Sequence, residues 1–217
     1  MVCSCILSIL CATTDTETTI NNQSHARLLM NEVLDFWFGR SNSPEFGKVQ
    51  KKWFEKDADF DAKVRSGFLP QYELAASSQL QFWQDFPENC LALILLLDQF
   101  PRNMFRETPQ AFATDSKALA AAEYAVNNNF DSQLLTVQKW FIYLPFEHSE
   151  NLENQQKSVE LFSNLQGEPD SQSVIDYAIR HLEIIERFGR FPHRNQILGR
   201  KITIEETEFL KQPGSGF

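Results

Sequence analysis

Cysteine is almost confined to one end of this chain. Three of the four, Cys3, Cys5 and Cys11, fall within the first eleven residues, and only Cys90 lies beyond them. No C-x-x-C pair occurs, so a disulfide framework is excluded and the thiols fit a reducing, cytoplasmic setting. Long apolar runs are also missing. The longest, Cys90 to Leu97, falls well short of the roughly 20 residues that a membrane-spanning helix needs, so no membrane partner is expected. Positive charge is scarce: 20 Lys and Arg against 29 Asp and Glu give a net charge of −9. A surface of that sign repels phosphate backbones, so nucleic acid is not an expected partner. There is no G-x-x-x-x-G-K-[ST] loop, G-x-G-x-x-G fingerprint, G-x-S-x-G elbow or H-E-x-x-H pair. Neither a nucleotide cofactor nor a metal is expected.

Phenylalanine, by contrast, is plentiful: 19 copies beside four Trp and four Tyr in 217 residues. Large rings fill irregular gaps between helices that cross at varied angles. A chain of this length supports one domain with an unstapled core. Residues 1–23 stand apart. An apolar, Cys-rich stretch to Ala12 gives way to a polar, Thr-rich one. No basic n-region precedes Ile6 to Leu10, and bulky Leu10 argues against a lipoprotein cysteine at Cys11, so the segment reads as a disordered leader. The domain occupies residues 24–217.

Hydrophobic spacing makes the domain all-α, an antiparallel helical array without period-2 strands. The first helix runs from Ser24 to Phe38 and ends at Gly39. Asp57 caps a second, which Pro70 interrupts before a short helix from Tyr72 to Phe82. Pro87 opens a buried central helix whose Leu- and Ala-rich run ends at Phe100, before Pro101. Thr114 or Asp115 caps an Ala-rich helix to about Asn128. The next runs from Leu134 to Leu144, ahead of Pro145. Ser149 or Asn151, then Ser173, open two more, and Gly189 closes the last of these. Thr203 and Glu206 form a capping box for a short C-terminal helix.

Several segments carry a family resemblance. They are V-L-D-F-W-F-G at 33–39, L-L-L-D-Q-F-P-R-N-M-F-R at 95–106, A-F-A-T-D at 111–115, Y-L-P-F-E-H-S-E at 143–150 and R-F-G-R-F-P-H-R-N at 187–195. Together they resemble domain of unknown function 924, from about Ala26 to the C-terminus. The resemblance implies a tetratricopeptide-like stack of helices and no particular activity.

Polar residues gather at three helix ends. Arg187, Arg190, His193, Arg194 and Arg200 span a stretch without a carboxylate, and with Asn195 they read as a binding segment for a small anionic ligand. The structural alternative pairs them with acidic neighbours such as Glu183. Asp98, Gln99, Arg102, Asn103 and Arg106 form the second group. An Asp ending a buried helix needs a partner, from Arg102 or from the later arginines. Phe100-Pro101-Arg102-Asn103 is echoed at Phe191-Pro192-His193-Arg194-Asn195, and if the two turns meet, their arginines share one site. The third group is Glu147-His148-Ser149-Glu150. Two functions follow. One is a binding module for a small anionic ligand or peptide, using Arg102, Arg106, Arg187, Arg190, Arg194 and Asn195. The other is an enzyme, with His148 or His193 as acid–base and Asp98 or Glu150 as partner. Convergence of His148, His193, Arg190 and Asp98 on one pocket is the geometry an enzyme requires.

Overall fold

Trp37 and Phe38 complete the first helix, α1, and sink almost entirely into the core. The computed structural model describes residues 27–216, and α1 is helical over 27–38. The leader and the cap at Ser24 lie outside the described residues. Gly39 ends α1 with φ of +84°, a left-handed conformation that costs glycine nothing. A short turn at Lys51–Trp53 then returns Trp53 to α1, where its indole N–H donates to the Trp37 carbonyl at 3.0 Å. Rings from Trp53, Phe60, Phe100 and Phe141 surround Trp37 with centroids 5.4–6.5 Å away. Part of the phenylalanine excess is therefore spent on an aromatic core joining distant parts of the chain, while Phe188 and Phe191 belong to a second, smaller cluster.

Eight further helices follow among the described residues. They are α2 (Ala58–Ala76), α3 (Pro87–Ile94), α4 (Phe100–Met104), α5 (Asp115–Asn127), α6 (Thr136–Glu147), α7 (Leu152–Ser163), α8 (Ser171–Phe188) and α9 (Ile204–Leu210). No strand occurs among the described residues. Short connections pack α5 on α6, α6 on α7 and α7 on α8, giving one all-α array, while α3 packs against both α5 and α6. Asp57 caps α2 as expected, accepting from the Asp59 and Phe60 amides. The Thr203–Glu206 capping box of α9 is also present. Among the described residues, no helix is long and apolar enough to cross a membrane.

Three prolines do not break their helices. Pro70 lies inside α2 and Pro145 inside α6. Each removes a single amide, while the buried faces on both sides, Phe68 with Tyr72 and Phe141 with Phe146, continue into the same core. Pro101 is accommodated differently. Leu95–Gln99 widens into a π-turn, in which the Phe100 amide donates to the Leu95 carbonyl. The Leu97 carbonyl, four residues before Pro101, accepts instead from the Thr114 hydroxyl at 2.6 Å. Thr114 is thus not a side-chain cap for α5 but a substitute donor for the proline. Thr114→Val keeps the shape and strands that carbonyl. Urea unfolding should show a loss of about 1–3 kcal/mol; a change below about 0.5 kcal/mol would contradict this role.

Candidate functional site

The π-turn places Asp98 where its carboxylate is fully enclosed. One oxygen meets His148 Nδ1 at 2.7 Å and Arg102 Nη1 at 3.2 Å, and the other accepts from Gln99 at 2.7 Å. Burial alone would push this carboxyl up. Arg102 and His148 outweigh it and hold Asp98 well below the usual range. His148 is the residue that follows α6 and caps its C-terminal end. Burial, and then the Arg102 charge, lower its pKa, so the ring is neutral near pH 7. A charged Asp98 can only accept, which assigns the proton to Nδ1 and leaves Nε2 as a base. No described residue hydrogen-bonds Nε2, and the side chain keeps 15% of its exposure.

Glu147 precedes His148 and points the other way. Its Oε1 lies 3.2 Å from Nδ1 of His181 on α8, and both side chains are buried. Burial, reinforced by Asp98, pushes the Glu147 carboxyl up to about 8. Burial pushes His181 down to about 3, although its Nδ1 N–H donates to the Tyr177 carbonyl at 2.8 Å. The pair is therefore neutral at pH 7. Gln155 on α7 supports this end of α6 by donating to the Glu147 and Ser149 carbonyls, each at 2.6 Å.

The two F-P-R-N-like segments do meet, although the first is helical and the second is a tight turn at Pro192–Arg194. Arg102 grips Asp115 with both terminal nitrogens, at 2.8 and 3.1 Å, and donates to the Asp98 carbonyl at 2.7 Å. Arg194 reaches the same Asp115 through Nη1 at 3.5 Å. Its guanidinium lies between the rings of Phe112 and Phe191, 4.7 and 4.6 Å from their centroids. Arg194 is 7% exposed, and its Nε finds no hydrogen-bond partner among the described residues. Burial, then the Arg102 charge, lower its pKa to about 10. His193, beside it, is pushed down to about 4 by burial and by Arg194.

The remaining candidates bind within the fold. Glu150 does not face His148. It accepts from Arg200 at 2.6 and 3.0 Å and from the Phe191 amide at 2.8 Å, fastening the Phe191 turn to the end of α6. Arg190 grips Glu206 of α9 at 2.6 and 2.9 Å, and the buried Asn195 side chain lies near that carboxylate without a hydrogen bond to it. Arg187 pairs with exposed Glu205 at 2.9 Å rather than with Glu183. Arg106 and Asn103 both hold Asp61 of α2. Asp98, His148, Arg102 and Arg194 therefore come together, with His193 close enough to feel their charges. Arg190, Arg187 and Arg106 lie on other contacts. Sequence reasoning missed Asp115 and His181 as members of the cluster, and it placed Glu147 beside His148 without its partner His181. Among the described residues, no group of three or more His, Cys, Asp and Glu could hold a metal ion. A cavity of about 90 Å³ beside Lys117 and Ser78 contains no member of the cluster.

Comparison with known proteins gives a family of unknown function. No curated protein matches the chain. A structure described as a protein of unknown function from Agrobacterium tumefaciens is similar, with 39% identity and a TM-score of 0.76, over 85% of this chain and 98% of that one. The model for bacterial proteins of unknown function, DUF924, matches residues 33–214. The chain belongs to that family, domain of unknown function 924.

Proposed function

We propose that the protein binds a small anionic ligand at the corner formed by Arg102, Arg194 and Asp115. One observation carries this reading: Arg194 is a buried guanidinium whose only ionic contact among the described residues is 3.5 Å long. A desolvated cation is costly unless it is well paired, and Arg102 has already taken the short contacts to Asp115. Two flanking rings hold the Arg194 fork flat, the orientation in which guanidinium recognises carboxylate or phosphate.

A second reading, an acid–base enzyme on the same framework, is favoured by the His148–Asp98 contact. A buried carboxylate fixes one ring nitrogen, and the other is left able to take a proton. Thermal unfolding with a panel of carboxylates and phosphates tests binding. A ligand at about a hundred times its Kd adds about 2.7 kcal/mol, or roughly 5–10 °C for a chain of this size. That rise should vanish in Arg194→Gln. No rise with any anion, or an equal rise in the variant, overturns the proposal.

A further inference from the structure

The anion site, if occupied as proposed, has no charge to spare. At neutral pH it holds two cations, Arg102 and Arg194, and two carboxylates, Asp98 and Asp115, in mutual contact. The other groups packed around His148 are neutral there: Glu147 on its own helix, His181 on α8 and His193 in the turn after it. Glu150 is matched by Arg200. An entering anion therefore leaves one uncompensated negative charge among groups that are mostly buried. Such a charge is costly unless a neighbour becomes positive.

His148 is the group placed to do so. It lies against Asp98, which stabilises an imidazolium at 2.7 Å, and its side chain reaches solvent at 15% exposure, whereas that of His181 keeps 5%. We propose, resting on the anion-binding reading, that the site takes a singly charged ligand, a carboxylate, together with one proton from solvent, which His148 accepts on Nε2. The bond formed is Nε2–H and the bond broken is an O–H of solvent hydronium, which is left as water; Asp98 stays ionised, and the site returns to neutrality. A dianion would need a second proton, and the other partly exposed imidazole, His193, lies beside the Arg194 charge, which opposes its protonation.

Acetate and sulfate separate these cases, because acetate carries one charge and sulfate two between pH 6 and 8. The His148 ring resonances of the intact protein, assigned by their loss in His148→Gln, are titrated with pH in the presence of each salt. Acetate should raise the His148 midpoint, and its apparent affinity should fall about tenfold per pH unit between the midpoint of the free protein and the raised one. Sulfate should bind more weakly. Acetate binding at Arg194 with an unchanged His148 midpoint overturns proton coupling alone. Sulfate binding as tightly as acetate overturns the preference for one charge. No response of either residue to either salt overturns the anion site as well.

Discussion

Asp98→Ala should lower stability by about 3–5 kcal/mol, the loss seen when one member of a buried ionic group is removed. For a chain of this size that is a fall of roughly 10 °C in Tm. The reason lies in what is left behind. Arg102 keeps Asp115, but His148 Nδ1–H and the Gln99 amide lose their acceptor in a place where Asp98 itself has no exposed surface. An unmatched buried donor costs its full desolvation. Asp98→Asn keeps the volume and one acceptor oxygen, and should lose less. Equilibrium denaturation of wild type and both variants checks the order. Equal stability of wild type and Asp98→Ala would mean that the Asp98 contacts do not hold the end of α6 against the π-turn.

The second large effect is a stability maximum near pH 6.5. His181 is held down to about 3 and His193 to about 4, against an ordinary value of 6.5. As pH falls below 6.5 the unfolded chain takes up protons that the folded chain refuses, so stability is lost. Each such group removes about 1.4 kcal/mol per pH unit until its folded pKa is reached. Depressed His148 adds to this limb, and the low Asp98 carboxyl extends it into stronger acid. Glu147 works in the opposite direction. Its folded value of about 8 lies above the ordinary 4.5, so the folded chain keeps a proton that the unfolded chain has lost. Its contribution declines as pH rises from 4.5 to about 8 and is gone above that. Between 4.5 and 6.5 the histidines outnumber Glu147 and stability rises; between 6.5 and 8 Glu147 acts alone and stability falls. Glu147→Gln supplies a neutral side chain at every pH, so it should flatten the alkaline limb and stabilise the protein at pH 8. Denaturation across pH 4–9 reads both limbs. A wild-type curve that keeps rising from 6.5 to 8 would show that Glu147 is ionised in the fold.

Helix content was legible because each helix has an apolar face at helical spacing and several carry side-chain caps, as Asp57 and Thr203 do. Helix ends at proline were not legible. Local chemistry predicts a break at Pro70, Pro101 and Pro145, and each continuation rests on packing or on a donor distant in sequence. Thr114, which serves the Leu97 carbonyl 17 residues earlier, is the clearest case. Half of the cluster was visible in short segments. The F-P-R-N echo pointed to Arg102 and Arg194 as neighbours, and the enclosed Asp98 had to find partners. Asp115 looked like a helix-capping residue, and its role of joining two arginines appears only when α5 is brought beside the turn after α8. Glu147 and His181 are 34 positions apart on different helices, so no spacing rule relates them. A signal did exist, since His181 interrupts the apolar face of Ala178 and Ile185 on α8 and needs a polar partner across the interface. The arginines at 187 and 190 belong to a basic stretch without a carboxylate, yet acidic residues of α9, 18 and 16 positions later, pair with both.

The central claim is that Arg194 is the open cation of this cluster. Nitrogen-15 spectra of the arginine side chains, recorded during a titration with acetate, test it most directly. The Arg194 guanidinium signals should move and saturate, while those of Arg190 and Arg187, already gripped by Glu206 and Glu205, stay in place. Uniform small shifts of all three, or an unmoved Arg194, would contradict the account.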